Sequence, residues 1–280
     1  MLIEFLGLPG CGKSTLSRRL AELMMEQRFV VDETTYDLDH RRRKLGRRCA
    51  KLAYLSSFAA RNPRSVLSNL LAIARTRQSS LADLRRAGFN WVSILSVVAR
   101  RQSPSIITVL DQGIAQAIWT IGFAAQRGSW LELLPTRNKQ AAAMPDLVVR
   151  VRADFATIGD RLGARKRRVS RMDAVGRDFE AIRRAENVVD LIVSRLQAIG
   201  VPVIEIDNND VAQLAQGASR IATVIMTGLS EQKTASLPRH QQGVSIEITA
   251  SEPTVPALNS LAHQPALPML LKTQVDADAT

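Results

Sequence analysis

The chemistry of this chain is written most plainly in Gly7-Leu8-Pro9-Gly10-Cys11-Gly12-Lys13-Ser14, with Thr15 directly behind. These residues fit the pattern G-x-x-x-x-G-K-[ST], in which main-chain amides close around a polyphosphate. Gly7, Gly10 and Gly12 permit a close phosphate approach that a side chain would obstruct. Pro9 stiffens the loop by fixing φ. Lys13 is the residue type that reaches β- and γ-phosphates as a point charge, and the Ser14 hydroxyl is a ligand type for Mg²⁺. Cys11 occupies a variable position and reads as a small filler.

Three further groups carry charge where such a loop would use it. Asp111 follows an apolar run and supplies the second carboxylate that a magnesium beside Ser14 requires, with a helix N-cap as its alternative. Asp32 and Glu33 end another apolar run and read as substrate or metal ligands, or as solvated loop acids. Arg161, Arg165, Lys166, Arg167, Arg168 and Arg171 form a basic run. An arginine fork there suits phosphate oxygens; a solvated basic run is the plainer account. The three histidines are His40, His240 and His263, and the two cysteines Cys11 and Cys49. These assemble no histidine metal site, no triad and no disulfide framework.

The elements that must position these groups read as alternating strands and helices. Leu2-Ile3-Glu4-Phe5-Leu6 is a short apolar run of buried-strand type. Leu16, Leu20, Leu23 and Met24 then mark one face of a helix. Further strands are expected at Arg28–Thr34, Ser105–Asp111, Met144–Val151 and Val201–Asp207. Helices are expected from Ile114 to Ile121, around Phe155–Leu162, at Phe179–Ile199 and at Val211–Leu229. Acids at the carboxyl ends of strands in such an open sheet point into the ligand crevice.

From Arg41 to Ala82 no residue is acidic, whereas Arg41, Arg42, Arg43, Lys44, Arg47, Arg48, Lys51, Arg61, Arg64, Arg75 and Arg77 are basic. Apolar residues at helical spacing between them predict two or three helices, broken at Asn62-Pro63 and at Gly88. This insertion, about 40–104, is a solvated basic face, a substrate lid, or a surface for an anionic partner at 41–77. The whole chain carries a net charge of +12 over 280 residues, which points to an anionic ligand or surface. The most apolar window, Trp91–Val98, is too short to cross a bilayer. A strand starting at Leu2 leaves no room for a secretory leader, so a cytoplasmic protein is expected. Residues 231–280 hold five of the eleven prolines and no sustained periodicity, which predicts a disordered tail after a domain spanning 1–230.

With those residues placed, the body resembles the P-loop kinases of nucleosides and nucleotides, and most of all thymidylate-kinase-like proteins. The resemblance rests on Gly7 to Thr15, Asp111-Gln112-Gly113, Pro145-Asp146-Leu147-Val148, Arg161 with Arg165, and Gly200 to Asp207. It implies an α/β chain with the three-layer P-loop NTPase fold, a five-stranded parallel sheet, Mg-ATP as donor and an arginine lid around 161–177. Arg161 and Arg165 match the lid arginines that contact donor phosphates or adenine. Asp111 matches the acid after the third strand; where that family usually has an arginine next, this chain has Gln112. The expected activity is γ-phosphoryl transfer from ATP to a small hydroxyl- or phosphate-bearing acceptor, with Lys13, Asp111, Glu33 and Arg165 as catalytic candidates. A nucleotide-binding regulatory protein and a polynucleotide 5′-kinase are the alternatives.

Overall fold

The computed structural model describes residues 1–37, 44–100, 106–134, 144–164, 172 and 178–236. Five strands, β1 (Leu2–Leu6), β2 (Val31–Asp32), β3 (Ile107–Leu110), β4 (Leu147–Arg152) and β5 (Val203–Asp207), form one sheet. Their order is β2-β3-β1-β4-β5, and every pairing is parallel. β1 is central, with Ile3 facing Val109 on one side and Leu147 on the other. Parallel strands need crossovers, and the crossover helices cover both faces.

Period-two alternation along β1 divides the core in two. Ile3 and Phe5 pack with Leu16, Leu20 and Met24 of α1 (Lys13–Glu26) and with Ala218, Ile221 and Ile225 of α9 (Val211–Ser236). Leu2 and Leu6 point the other way, into a cluster with Trp91 and Leu95 of α5 (Leu81–Val98), Ile118 of α6 (Ile114–Gly122) and Ile182 and Val189 of α8 (Phe179–Ala198). The result is three layers. Leu20 is fully buried between sheet and helix, so Leu20→Ala would cost about 2–5 kcal/mol.

Two strand positions break the apolar rule. Glu4 lies on the α6 side of β1 and is fully buried. Arg150 in β4 is buried too; its Nη1 donates to Glu205 Oε1 (2.9 Å), and its Nη2 donates to Glu186 Oε1 (2.6 Å) and to Asp190. That three-carboxylate cluster staples β4 to β5 and α8.

The insertion between β2 and β3 contains α3 (Lys44–Arg61), α4 (Pro63–Arg75) and α5, after the single turn α2 (Thr34–Tyr36). The expected break at Asn62-Pro63 is present, with Pro63 in the first turn of α4, where its missing N–H costs nothing. The expected break at Gly88 is absent. Gly88 lies inside α5, and a Cβ there would stand 2.9 Å from Leu70 Cδ2, so the glycine serves a close helix crossing. The real interruption precedes Leu81, where Ser80 caps α5 by accepting a hydrogen bond from Asp83 N (3.1 Å). The second strand is also shorter than expected, because Val31 and Asp32 alone pair with β3, as the edge of the sheet. At the other end α9 continues to Ser236, past the expected stop at Leu229; the rest of the tail, 237–280, lies outside the described residues.

Candidate functional site

The glycine loop leaves β1 at the middle of the sheet and enters α1 at Lys13. Gly7 is squeezed against β4: a Cβ there would be 2.3 Å from the Val151 carbonyl oxygen. Gly12, the N-cap of α1, has φ +92°, and its Cβ would lie 2.1 Å from Asn208 Nδ2. No side-chain hydrogen bond caps α1; Thr15 N turns inward to Gly12 O at 3.1 Å, and the positive dipole end of the helix is an anion site. The Lys13 ammonium donates to the Gly7 and Leu8 carbonyls at 2.7 and 2.9 Å, which holds it against the loop. Cys11 is fully buried, and burial pushes its thiol up; it fills space, as its position suggested.

At the adjoining strand end, the Ser14 hydroxyl donates to Asp111 Oδ2 at 3.0 Å. Asp111 is 1% exposed, and its Oδ1 is buried with no hydrogen-bond partner. A carboxylate oxygen left open beside a hydroxyl fits a hard cation such as Mg²⁺. Among the described residues no three His, Cys, Asp or Glu side chains group to hold a metal alone. An ion here would therefore share its ligands with phosphate oxygens and water.

Asp111 does not cap the helix that follows it. Glu4 does, from beneath: its Oε1 accepts from Ile114 N and its Oε2 from Ala115 N, each at 3.0 Å. Gly113 allows this, since a Cβ there would meet Glu4 Cδ at 2.1 Å. Burial pushes the Glu4 carboxyl up to about 7, against the pull of the two amides. In the same first turn of α6, Gln116 Oε1 accepts from Gly7 N at 3.2 Å. Glu4, α6 and the loop thus form one mechanically linked unit.

Glu33 accepts from Arg18 Nη1 and is 8% exposed. The same guanidinium also donates to Glu22 (3.1 Å) and stands 5.7 Å from the Tyr36 ring centre. Glu33 is therefore a buried, paired carboxylate. Asp32 Oδ1 accepts from Thr34 N at 3.0 Å, an Asx-type turn.

Arg161 lies in α7 (Phe155–Gly163). Its Nη1 donates to Asn208 O (2.8 Å) and Gly10 O (3.4 Å), and its Nη2 to Asn209 O (2.9 Å). It pins the glycine loop to the segment after β5. Asn208 completes that link by donating from Nδ2 to Cys11 O at 2.7 Å. Arg165, and the rest of the arginine run at 165–171 and 173–177, lie outside the described residues.

The glycine loop, Arg161 and Asn208 border a cleft of about 700 Å³, whose lining does not include Asp111 or Glu33; the volume is within the range for a nucleotide-sized ligand. One wall is the loop, with Pro9, Gly10, Gly12, Lys13, Ser14 and Thr15; another is Gln112 with Gln116 and Thr120 of α6; the third is Arg161 with Asn208 to Val211. Sequence reading missed Glu4, Gln116 and Asn208. Glu4 had a signal, as the one charge inside an apolar strand. Gln116 and Asn208 had none, because their partners are backbone atoms at sequence separations of 109 and 197.

A glycine loop between the central parallel strand and its helix, with an acid at the end of the neighbouring strand, defines the P-loop NTPase fold. No family model matches the chain, and no curated protein does. Among solved structures it is similar to a deoxyadenosine kinase from M. mycoides with dCMP bound, at 13% identity and a TM-score of 0.47 over 82% of this chain and 100% of that one. The dATP-bound form of that protein gives 14% and 0.46 over 82% and 99%. A thymidylate kinase from Ehrlichia chaffeensis gives 14% and 0.43 over 80% and 98%.

Proposed function

We propose that this protein is an ATP-dependent phosphotransferase that moves the γ-phosphoryl group to a small hydroxyl- or phosphate-bearing acceptor. The observation that supports this reading is the Ser14–Asp111 contact of 3.0 Å with the second Asp111 oxygen left open. Beside it stands the first turn of α1, which no side chain caps. Catalysis in such a site is mostly positioning and charge stabilisation. The loop amides and Lys13 bind the β- and γ-phosphates. Ser14 and Asp111 would hold Mg²⁺, which when bound would neutralise negative charge on the β- and γ-phosphate oxygens. The donor base lies against Arg161 and Asn208 to Val211, at the far end of the cleft.

Glu33 is assigned to take the proton of the acceptor hydroxyl, and its ion pair with Arg18 fixes the position of the carboxylate. Arg165 is assigned to the spread charge of the transferring group. Gln112, neutral where a monophosphate acceptor calls for a cation, favours an uncharged hydroxyl acceptor. Donor turnover measured with and without a panel of nucleosides, nucleoside monophosphates and sugars tests the reading; stimulation by a hydroxyl acceptor is expected. Lys13→Ala should abolish transfer without changing thermal unfolding. Robust transfer by that variant would overturn the assignment, and hydrolysis indifferent to every acceptor would favour a regulatory nucleotide-binding protein.

A further inference from the structure

The insertion carries a surface that the nucleotide cleft does not use. Along α4, Leu67, Leu71 and Ala74 recur at intervals of four and three, which places them on one stripe. That stripe faces outward: Leu67 is 61% exposed and Leu71 51%. Its orientation is fixed from behind, because Ile73 is fully buried and Asn69 Oδ1 accepts from Trp91 Nε1 of α5 at 2.9 Å. Leu70 flanks the stripe against Gly88, and Phe89 of α5, 45% exposed, extends the apolar area. Arg64 and Arg75 are exposed on the opposite flank of the same helix. They belong to the acid-free stretch from Arg41 to Ala82, which holds eleven basic residues.

Leucines in the middle, arginines at the flank and no carboxylate on α4 itself specify the occupant by charge. A second copy of this chain would place the same patch against itself, arginine against arginine, with no acid on α4 to answer either. A nucleic acid would answer the arginines but leave the leucines in water, and α4 itself carries no aromatic residue for bases to stack on. An anionic bilayer satisfies both, since leucines enter the acyl boundary while guanidiniums meet lipid phosphates.

We propose that the outer face of α4, with Arg64 and Arg75, docks this protein reversibly on an anionic phospholipid surface. Contact lies in the plane of the interface: among the described residues no helix is long and apolar enough to cross a membrane. The inference is independent of the phosphotransferase reading.

Flotation of the full chain with vesicles of phosphatidylcholine alone, or mixed equally with phosphatidylglycerol, tests it. Binding to the mixed vesicles only is expected, weakening as salt rises. The double variant Leu67→Gln/Leu71→Gln should lower partition by about tenfold or more, and Arg64→Gln or Arg75→Gln by about fivefold each. Thermal unfolding of these variants should match the wild type, because the side chains are exposed. Equal binding to both vesicle types, no binding, or binding indifferent to the leucine pair would overturn the proposal. So would a leucine-dependent dimer in sedimentation without lipid, or leucine-dependent retention on single-stranded oligonucleotides.

Discussion

Glu4 sets burial against hydrogen bonding, and the winner is measurable. Its ordinary carboxyl value of 4.5 is pushed up to about 7 by full burial, although two amide donors favour the ionised form. A folded-state value above the unfolded one means that the native protein binds more protons between them. The contribution of Glu4 is then fully present below pH 4.5 and is lost as pH rises through about 7. The slope is about 1.4 kcal/mol per pH unit, for a total loss of about 3 kcal/mol. The perturbation is Glu4→Gln, which keeps the shape but does not titrate. The amide should itself cost about 1–3 kcal/mol, since it accepts one of the two N–H groups and leaves the other unpaired; that offset does not vary with pH. Urea unfolding of both proteins between about pH 5 and pH 8 isolates the slope. The wild type should lose stability relative to the variant as pH rises. A flat difference, or a wild type that gains on the variant, would show that the Ile114 and Ala115 amides outweigh desolvation. Because α6 also carries Gln116 against Gly7, nucleotide affinity should fall over the same interval.

Asp111→Asn keeps a partner for Ser14 but removes the charge facing the open site, so nucleotide titration with and without MgCl₂ should lose its magnesium dependence while metal-free binding persists. Gly12→Ala places an L-residue at φ +92° and drives a Cβ into Asn208 Nδ2. Together these should lower stability by about 2–3 kcal/mol and displace the Asn208–Cys11 hydrogen bond, read by thermal melting and nucleotide affinity. Arg150→Met leaves Glu186, Asp190 and Glu205 without their shared cation; solvent reaches two of these acids, so the urea midpoint should report a loss of about 1–3 kcal/mol, less than a sealed pair. Nucleotide affinity should be unchanged in that variant.

The amino-acid order by itself determined the parts that depend on local pattern. Glycines at positions 7, 10 and 12 before Lys13 and Ser14 specify a phosphate loop wherever they follow a strand and open a helix, and apolar runs of strand length alternating with helical stripes specify a parallel α/β sheet. The acid at Asp111 was legible because it closes such a run. Tertiary structure decided everything that depends on which strand ends are neighbours. The order β2-β3-β1-β4-β5 brings Asp111 to Ser14 across 97 residues and Asn208 to Cys11 across 197. Gly88 shows the same limit: with no side chain of its own, its role is set by Leu70 on another helix, which no periodicity within α5 could reveal. Likewise Glu4 reads as a defect in a strand until α6 is laid over it; only then does a buried carboxyl become the cap of that helix.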